Sequence, residues 1–316
     1  MRHRTLLTAL ALLLAACGSE GTDATADTTA IPTPGLPATY TGPDGVTTTV
    51  ESAARIVSLS GDYTEIVFAL GLGPNVVGVD LSSVHPLEEV RPIPKVGVEF
   101  RLFTEPILDL EPTVVLGDID ASPSTVIDQL RSAGVPVVIF DRAAGITAPP
   151  RKIREVARVL GVPERGDALA ARVEAEIADA AARTADVEDR PRVALVYVAG
   201  RGDTILLLGE GSVAEGVFEA IGAEDVAPEA GADGFVPLTA EALVAGDPEV
   251  IITAERGIAD LGGMDEFLAL PGVAQTTAGR NGAVLVYEDL YLLGLGPRTG
   301  DLLDEVIDDL HPELGG

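Results

Sequence analysis

The chain reads as an α/β protein of two lobes, each built on a mainly parallel sheet, joined by one long α-helix with a ligand cleft between them. Three observations predict this. Short β-rich runs alternate with helical patterns on both sides of the middle of the chain, which is the signature of sheets covered on both faces. From Pro163 to Asp186 the sequence is helical throughout, with Leu169, Val173 and Ile177 four apart on one stripe and Ala, Arg and Glu filling most other positions. Finally, residues 102–116 (LFTEPILDLEPTVVL) and 238–252 (LTAEALVAGDPEVII) match at a constant offset of 136 positions (238 minus 102). Leu102/Leu238, Glu105/Glu241, Pro112/Pro248 and Val114/Val250 are identical, and Thr104 and Thr239 stand where each can cap a short helix.

Residues 1–17 read as a signal peptide. Arg2 and Arg4 precede an apolar run from Leu6 to Leu14, and Leu14-Ala15-Ala16-Cys17 is a small-residue cleavage site ending in the only cysteine. The run is too short for a permanent membrane span. This pattern resembles a bacterial lipoprotein lipobox, which implies that Cys17 is lipidated and becomes the first mature residue. With that thiol consumed, no disulfide framework is available. Residues 18–52 are rich in Thr, Gly, Ala, Pro and Asp and are expected to form a flexible tether.

The net charge of −29 becomes −31 once Arg2 and Arg4 are removed. Such a balance excludes nucleic acid, whose binding depends on neutralising phosphates, and a polybasic mode of membrane attachment. Any membrane contact is therefore expected through the N-terminal lipid only.

The first lobe is expected over residues 53–146. Arg55–Leu59, Val76–Val79, Val114–Leu116 and Val137–Phe140 read as strands, Thr64–Leu70 and Ser124–Ala133 as helices. Residues 147–190 form the connecting helical segment. The second lobe, 191–316, repeats the cycle with strands at Val193–Val198 and Val250–Thr253. Its helices fall at Val213–Ile221 and around Leu243, and Asp265–Leu270 and Val284–Tyr287 are further elements before a terminal helix at Thr299–Leu310. Two Rossmann-like lobes of this kind gather ligands beyond the carboxyl ends of their strands. That rule selects the loops at 60–63, 82–86, 98–103, 118–122 and 141–142 in the first lobe. In the second it selects 199–204, 233–235, 254–256 and 288–292.

Enzyme signatures are missing. There is no G-x-S-x-G elbow, P-loop, H-E-x-x-H or spaced Cys/His set, and the glycines of LLGLGP do not complete G-x-G-x-x-G. A surface α/β enzyme with an unrecognised site is the reading from another class.

Lipobox, tether and two helix-linked lobes resemble the substrate-binding lipoproteins of ABC importers, in the class whose lobes share a single long helix. RIVSLSGDYTEIVFALGLGPNVVGVD and GGMDEFLALPGVAQTTAGRNGAVLVYEDLYLLGLGPRTG resemble the hemin-binding members most, over roughly residues 54–310. The resemblance implies a monomeric extracytoplasmic carrier, held at the cell membrane by Cys17, that captures heme and delivers it to an ABC permease. Heme is then cargo, and no cofactor is required. Ferric-siderophore and cobalamin carriers share the fold and are the alternatives. The resemblance also implies that one glutamate per lobe docks on permease arginines, which places that role at Glu105 and Glu241. Hemin carriers often have V-G-Y-x-R with a ligating tyrosine, whereas this chain has Val98 at that place. Ile205–Leu208 likewise replaces an aromatic run. Ferric heme accepts Tyr or His, so His85, Tyr63 and Tyr291 are the candidate axial ligands. Arg101 and Arg201 are candidates for anionic groups, and Phe235, with Phe100, Phe103 and Leu290–Leu293, for apolar walls.

Overall fold

The computed structural model describes residues 30–98, 100–142, 144–199, 202, 204–229, 231 and 234–314. Cys17 and Arg201 therefore lie outside the described residues.

The first elements among the described residues form a hairpin, β1 (Ala38–Thr41) and β2 (Thr47–Val50), paired antiparallel from Ala38↔Val50 to Thr41↔Thr47. This corrects the expectation of a tether for the hairpin residues, while positions 18–29 lie outside the described residues. Thr47–Val50 alternates exposed and buried residues, as a half-buried strand does, and β-branched threonine suits it. Gly45, at φ +76°, closes the turn by donating its N–H to the Gly42 carbonyl. Val50 is fully buried, Tyr40 packs on Phe140 at 5.1 Å between ring centroids, and the Thr48 hydroxyl donates to the Val137 carbonyl at 2.9 Å. Composition hid a segment that binds the first lobe through two-residue periodicity.

The first lobe follows as β3 (Ile56–Ser58), α1 (Gly61–Ala69), β4 (Val76–Val79), α2 (Leu87–Val90), a small hairpin of β5 (Gly97–Val98) and β6 (Arg101–Leu102), α3 (Thr104–Leu108), β7 (Val114–Asp118), α4 (Ser124–Ser132) and β8 (Val137–Phe140). Its main sheet has the order β4-β3-β7-β8, and every pairing is parallel. Alternate residues feed opposite faces: Val114 and Leu116 enter one core, Val115 the other. Both faces are covered, so the strands read as continuous apolar runs.

Two helices lead across. In α5 (Ala148–Val159) a stripe of Ile153, Val156 and Ala157 is buried, and α6 (Pro163–Arg183) is the long helix expected from sequence. Leu169, Ala170 and Val173 of α6 join the first lobe's core, Ala180 joins the second lobe's, and Ile177 packs against both. Close crossings fix the helix laterally. A Cβ at Gly166 would meet the Ala157 Cβ at 2.2 Å, so only glycine allows α5 this near.

The second lobe comprises β9 (Arg192–Ala199), β10 (Thr204–Leu208), α7 (Val217–Ala220), β11 (Glu224–Asp225), β12 (Phe235–Pro237), α8 (Ala240–Gly246), β13 (Val250–Ala254), α9 (Glu255–Leu261), α10 (Met264–Leu268), α11 (Thr277–Asn281), β14 (Val284–Tyr287), α12 (Asp289–Leu293) and α13 (Thr299–Leu310). Its sheet, β12-β10-β9-β13-β14 with β11 beside β9, is mixed. β13 is parallel to β9 and β14, while β10 is antiparallel to β9 and β12. Thr204–Leu208 is thus a strand, where sequence reading saw only a missing aromatic run. The helix expected over 213–221 shrinks to Val217–Ala220.

Buried charge ties the lobes together. The Lys152 ammonium pairs with Asp62 of α1 at 2.6 Å and donates to the Gly294 carbonyl of the second lobe at 2.7 Å. Arg298 reaches back to Glu65 of α1 at 2.8 Å. Two backbone bonds, Gly145 N–H to Ser212 and Ile146 N–H to Glu215, add to the seam.

Candidate functional site

The loops at the carboxyl ends of the first lobe's strands are locked to one another. After β4, Asp80 is fully buried and its carboxylate accepts from Ser82 N–H, Ser83 N–H and the Ser83 hydroxyl. Burial pushes the Asp80 carboxyl up, and those bonds oppose the shift. The Ser82 hydroxyl accepts from Gly61 N–H at 2.9 Å, tying this loop to the start of α1. Leu81 N–H donates to Gly97, and Leu102 N–H to Ser122, so the β5–β6 hairpin is strapped to the loops on either side.

That frame carries an unusual surface. Phe100 is 71% exposed, and Leu81, Phe103 and Ile119 are each about half exposed on adjoining loops. Phe235, at the start of β12, is an exposed aromatic of the second lobe. Arg142, paired with Asp120, lies 5.9 Å above the Phe235 ring and so spans the gap between lobes. Arg101 covers the Phe103 ring at the same distance. Exposed apolar side chains in one patch mark a place meant to be covered by something else. Sequence reasoning named Phe100, Phe103 and Phe235 but not Leu81 or Ile119. Ile119 directly follows β7 inside the predicted loop 118–122, which was signal enough, whereas Leu81 lies just ahead of the predicted loop 82–86.

The iron-ligand candidates fare differently. Tyr63 is 1% exposed, packs 5.0 Å from the Phe140 ring and has the Lys152 ammonium 5.7 Å above it. It is a core residue, and its candidacy as a ligand is withdrawn. The reason is that α1 starts at Gly61 rather than Thr64, which puts Tyr63 on the helix's inner stripe with Ile66, Val67 and Leu70. Tyr291 packs against the second core with Arg298 4.8 Å from its ring. Burial, then the Glu305 and Asp301 carboxylates, push the phenol well above its ordinary pKa. That opposes the phenolate an iron would need.

His85 lies in a crevice of about 350 Å³ between the lobes, lined by Glu65, Phe68, Glu89, Arg172, Arg298 and Asp301 among others. Burial, then Arg298, push the imidazole down, with Glu65, Glu288 and Glu89 opposing. Three carboxylates and two guanidinium groups stand among the crevice walls. No group of three or more His, Cys, Asp or Glu among the described residues is placed to hold a metal ion. The charges binding the two lobes, Lys152 with Asp62 and Arg298 with Glu65, escaped sequence reading. A lysine four residues before buried Val156 on the α5 stripe was the one available hint.

The repeated motif is repeated in space. α3 and α8 begin at Thr104 and Ala240, and β7 and β13 at Val114 and Val250, each pair 136 apart. Between helix and strand, Glu111 (φ +46°) and Asp247 (φ +35°) share a left-handed conformation at the same offset. The Leu110 and Gly246 carbonyls, again 136 apart, accept from Arg55 and Arg192, each at 2.6 Å, although the two arginines are 137 apart (192 minus 55). Glu105 and Glu241 are exposed in the first turns of their helices, and neither forms an ion pair among the described residues. The capping expectation holds only for Thr239, which accepts from Ala242 N–H. The N-cap of α3 is Phe103, and the Thr104 hydroxyl bonds Gln129 instead.

Comparison with known proteins agrees with this architecture. Residues 56–290 match the periplasmic binding protein family. An uncharacterised ABC transporter substrate-binding lipoprotein of Bacillus subtilis, YvrC, is 25% identical over 82% of this chain and 80% of its own. The cobalamin-binding protein of Halobacterium salinarum is 27% identical over 86% of this chain and 74% of its own. Among solved structures, the periplasmic heme-binding protein RhuT of Roseiflexus sp. RS-1, in apo form, is 42% identical with a TM-score of 0.78. It is matched over 82% of this chain and 98% of its own. The heme-binding protein HmuT is 36% identical with a TM-score of 0.82, over 89% and 92%. The chain belongs to the periplasmic binding protein family, as an extracytoplasmic solute-binding protein of an ABC importer and not an enzyme.

Proposed function

We propose that this protein captures heme in the cleft between its lobes and hands it to an ABC permease, working as a monomer anchored through lipidated Cys17. The observation that carries the cargo reading is the exposed apolar wall of Leu81, Phe100, Phe103 and Ile119, faced across the gap by Phe235 and bordered by Arg101 and Arg142. A flat apolar macrocycle with acidic substituents suits walls of this kind with cations at their edge. The solved structures most like this chain include heme-binding proteins, which supports the same reading. Cobalamin is the second reading, favoured by the cobalamin-binding sequence relatives. Glu105 and Glu241, exposed and equivalent in the two lobes, form the permease-docking pair.

Titrating the purified protein with hemin tests the cargo. A saturable shift of the Soret band at one heme per chain is expected. Tight binding of cyanocobalamin or a ferric siderophore, with no saturable hemin response, overturns heme as the cargo.

A further inference from the structure

The side chains able to ligate a heme-type metal are few enough to be taken one by one. Tyr, His, Met and Cys supply the usual protein ligands. Beyond residue 29 the chain has five tyrosines, two histidines and one methionine, and all eight lie among the described residues.

Seven of the eight are packed or bonded elsewhere. Tyr40 packs on Phe140, and Tyr63 is buried behind the same ring. Tyr197 lies against the second core, where burial, then the Asp289 carboxylate, push its phenol up. Tyr287 donates its hydroxyl to Asp309 at 2.8 Å, and Tyr291 packs against the second core with the Arg298 guanidinium 4.8 Å from its ring. His311 is buried with its Nε2 2.9 Å from the Ile221 carbonyl oxygen. Met264 packs against the second lobe's outer core. That leaves His85, whose crevice is walled by three carboxylates and two guanidinium groups rather than by the apolar patch.

The patch itself is therefore a holder of flat faces and charged rims. From this inventory we infer that the chain binds its tetrapyrrole cargo by face and edge alone and contributes no ligand to the metal. The inference rests on the tetrapyrrole-carrier reading above. It adds that the metal arrives with its axial positions filled by small molecules or by the cargo's own groups.

A metal-free twin of the cargo decides it. Protoporphyrin IX has the same face and rim as hemin but no iron, so the two are compared on the purified protein by fluorescence quenching and Soret titration. A protein–metal bond favours hemin by about a hundredfold or more, whereas face-and-edge binding keeps the two within about tenfold. The same comparison is made with His85→Ala, Tyr197→Phe and Tyr291→Phe. We expect near-equal affinities in the wild type, and a bound-hemin spectrum that none of the three substitutions alters. Hemin binding a hundredfold tighter than protoporphyrin IX overturns the inference. So does a changed spectrum or collapsed affinity in any variant, with the carrier reading left intact. If neither hemin, protoporphyrin IX nor cyanocobalamin binds, the carrier reading itself falls, and this inference with it.

Discussion

The two lobes share one unit and finish it differently. In each, a short helix bearing an exposed glutamate ends in a left-handed acidic residue, a proline follows, and a five-residue strand runs into the sheet. In each, an arginine at the start of the neighbouring strand closes the helix's carboxyl end. The difference lies in support. Arg55 bonds only backbone carbonyls, whereas Arg192 also pairs with Glu224 and Glu229. Glu111 is exposed, whereas Asp247 accepts from the N–H and hydroxyl of Thr277. The first lobe has an all-parallel sheet and needs little reinforcement. The second splices in an antiparallel pair, β10 and β12, and braces the shared unit from outside. What is repeated is the geometry that presents the glutamate, and what varies is the scaffolding behind it.

The strongest test of that equivalence is functional. Glu105→Ala combined with Glu241→Ala is expected to abolish cargo uptake in cells while binding and folding persist, and each single change to lower uptake partially. Wild-type uptake by the double variant, or full loss from one single change, would break the symmetry claimed for the pair.

A smaller effect is expected on stability. Arg192→Ala removes charge-assisted bonds to the Gly246 carbonyl and should cost about 2 kcal/mol by chemical denaturation. Arg55→Ala, at a more exposed copy of the site, should cost about half as much. The ion pairs of Arg192 add little, because their carboxylates are half exposed. Equal costs would show that the bracing of the second lobe has no weight.

The smallest effect has opposite signs in the two lobes. A left-handed backbone strains any residue with a Cβ, so Glu111→Gly should stabilise by up to about 1 kcal/mol. Asp247→Gly relieves the same strain but forfeits the bonds to Thr277, and a net loss of about 1 kcal/mol is expected. Differential scanning calorimetry of the two variants reads the sign directly. Stabilisation in both would mean that the Thr277 bonds contribute nothing.

Sequence revealed the long helix, the duplicated unit and the parallel strands of both lobes' main sheets, because period and offset survive without coordinates, but not the antiparallel β10 and β12. It misread Tyr63 by starting α1 three residues late, although Tyr63, Ile66, Val67 and Leu70 already form one helical stripe. It lost the β1–β2 hairpin because threonine-rich composition was weighed above the alternation in Thr47–Val50 and the Pro-Asp-Gly turn before it. Arg298 and Glu65 lie 233 positions apart, and nothing local announces such a pairing. The apolar patch was half legible, since its aromatics stood out while Leu81 and Ile119 looked like ordinary core residues.

Ile177 packs against both cores from the middle of α6, with Val173 committed to one lobe and Ala180 to the other. Each residue of an α-helix turns the chain by about 100° and advances it by about 1.5 Å. The rotational phase of one lobe against its neighbour is thus counted out in residues. One residue inserted between Val173 and Ala180 would swing the second lobe by about 100°, carrying Glu241 away from Glu105 and the Gly294 carbonyl away from Lys152. Seven inserted residues would nearly restore the phase while spreading the lobes by about 10 Å. The aperture of the cleft and the spacing of Glu105 and Glu241 are therefore set by a single integer, the length of that helix.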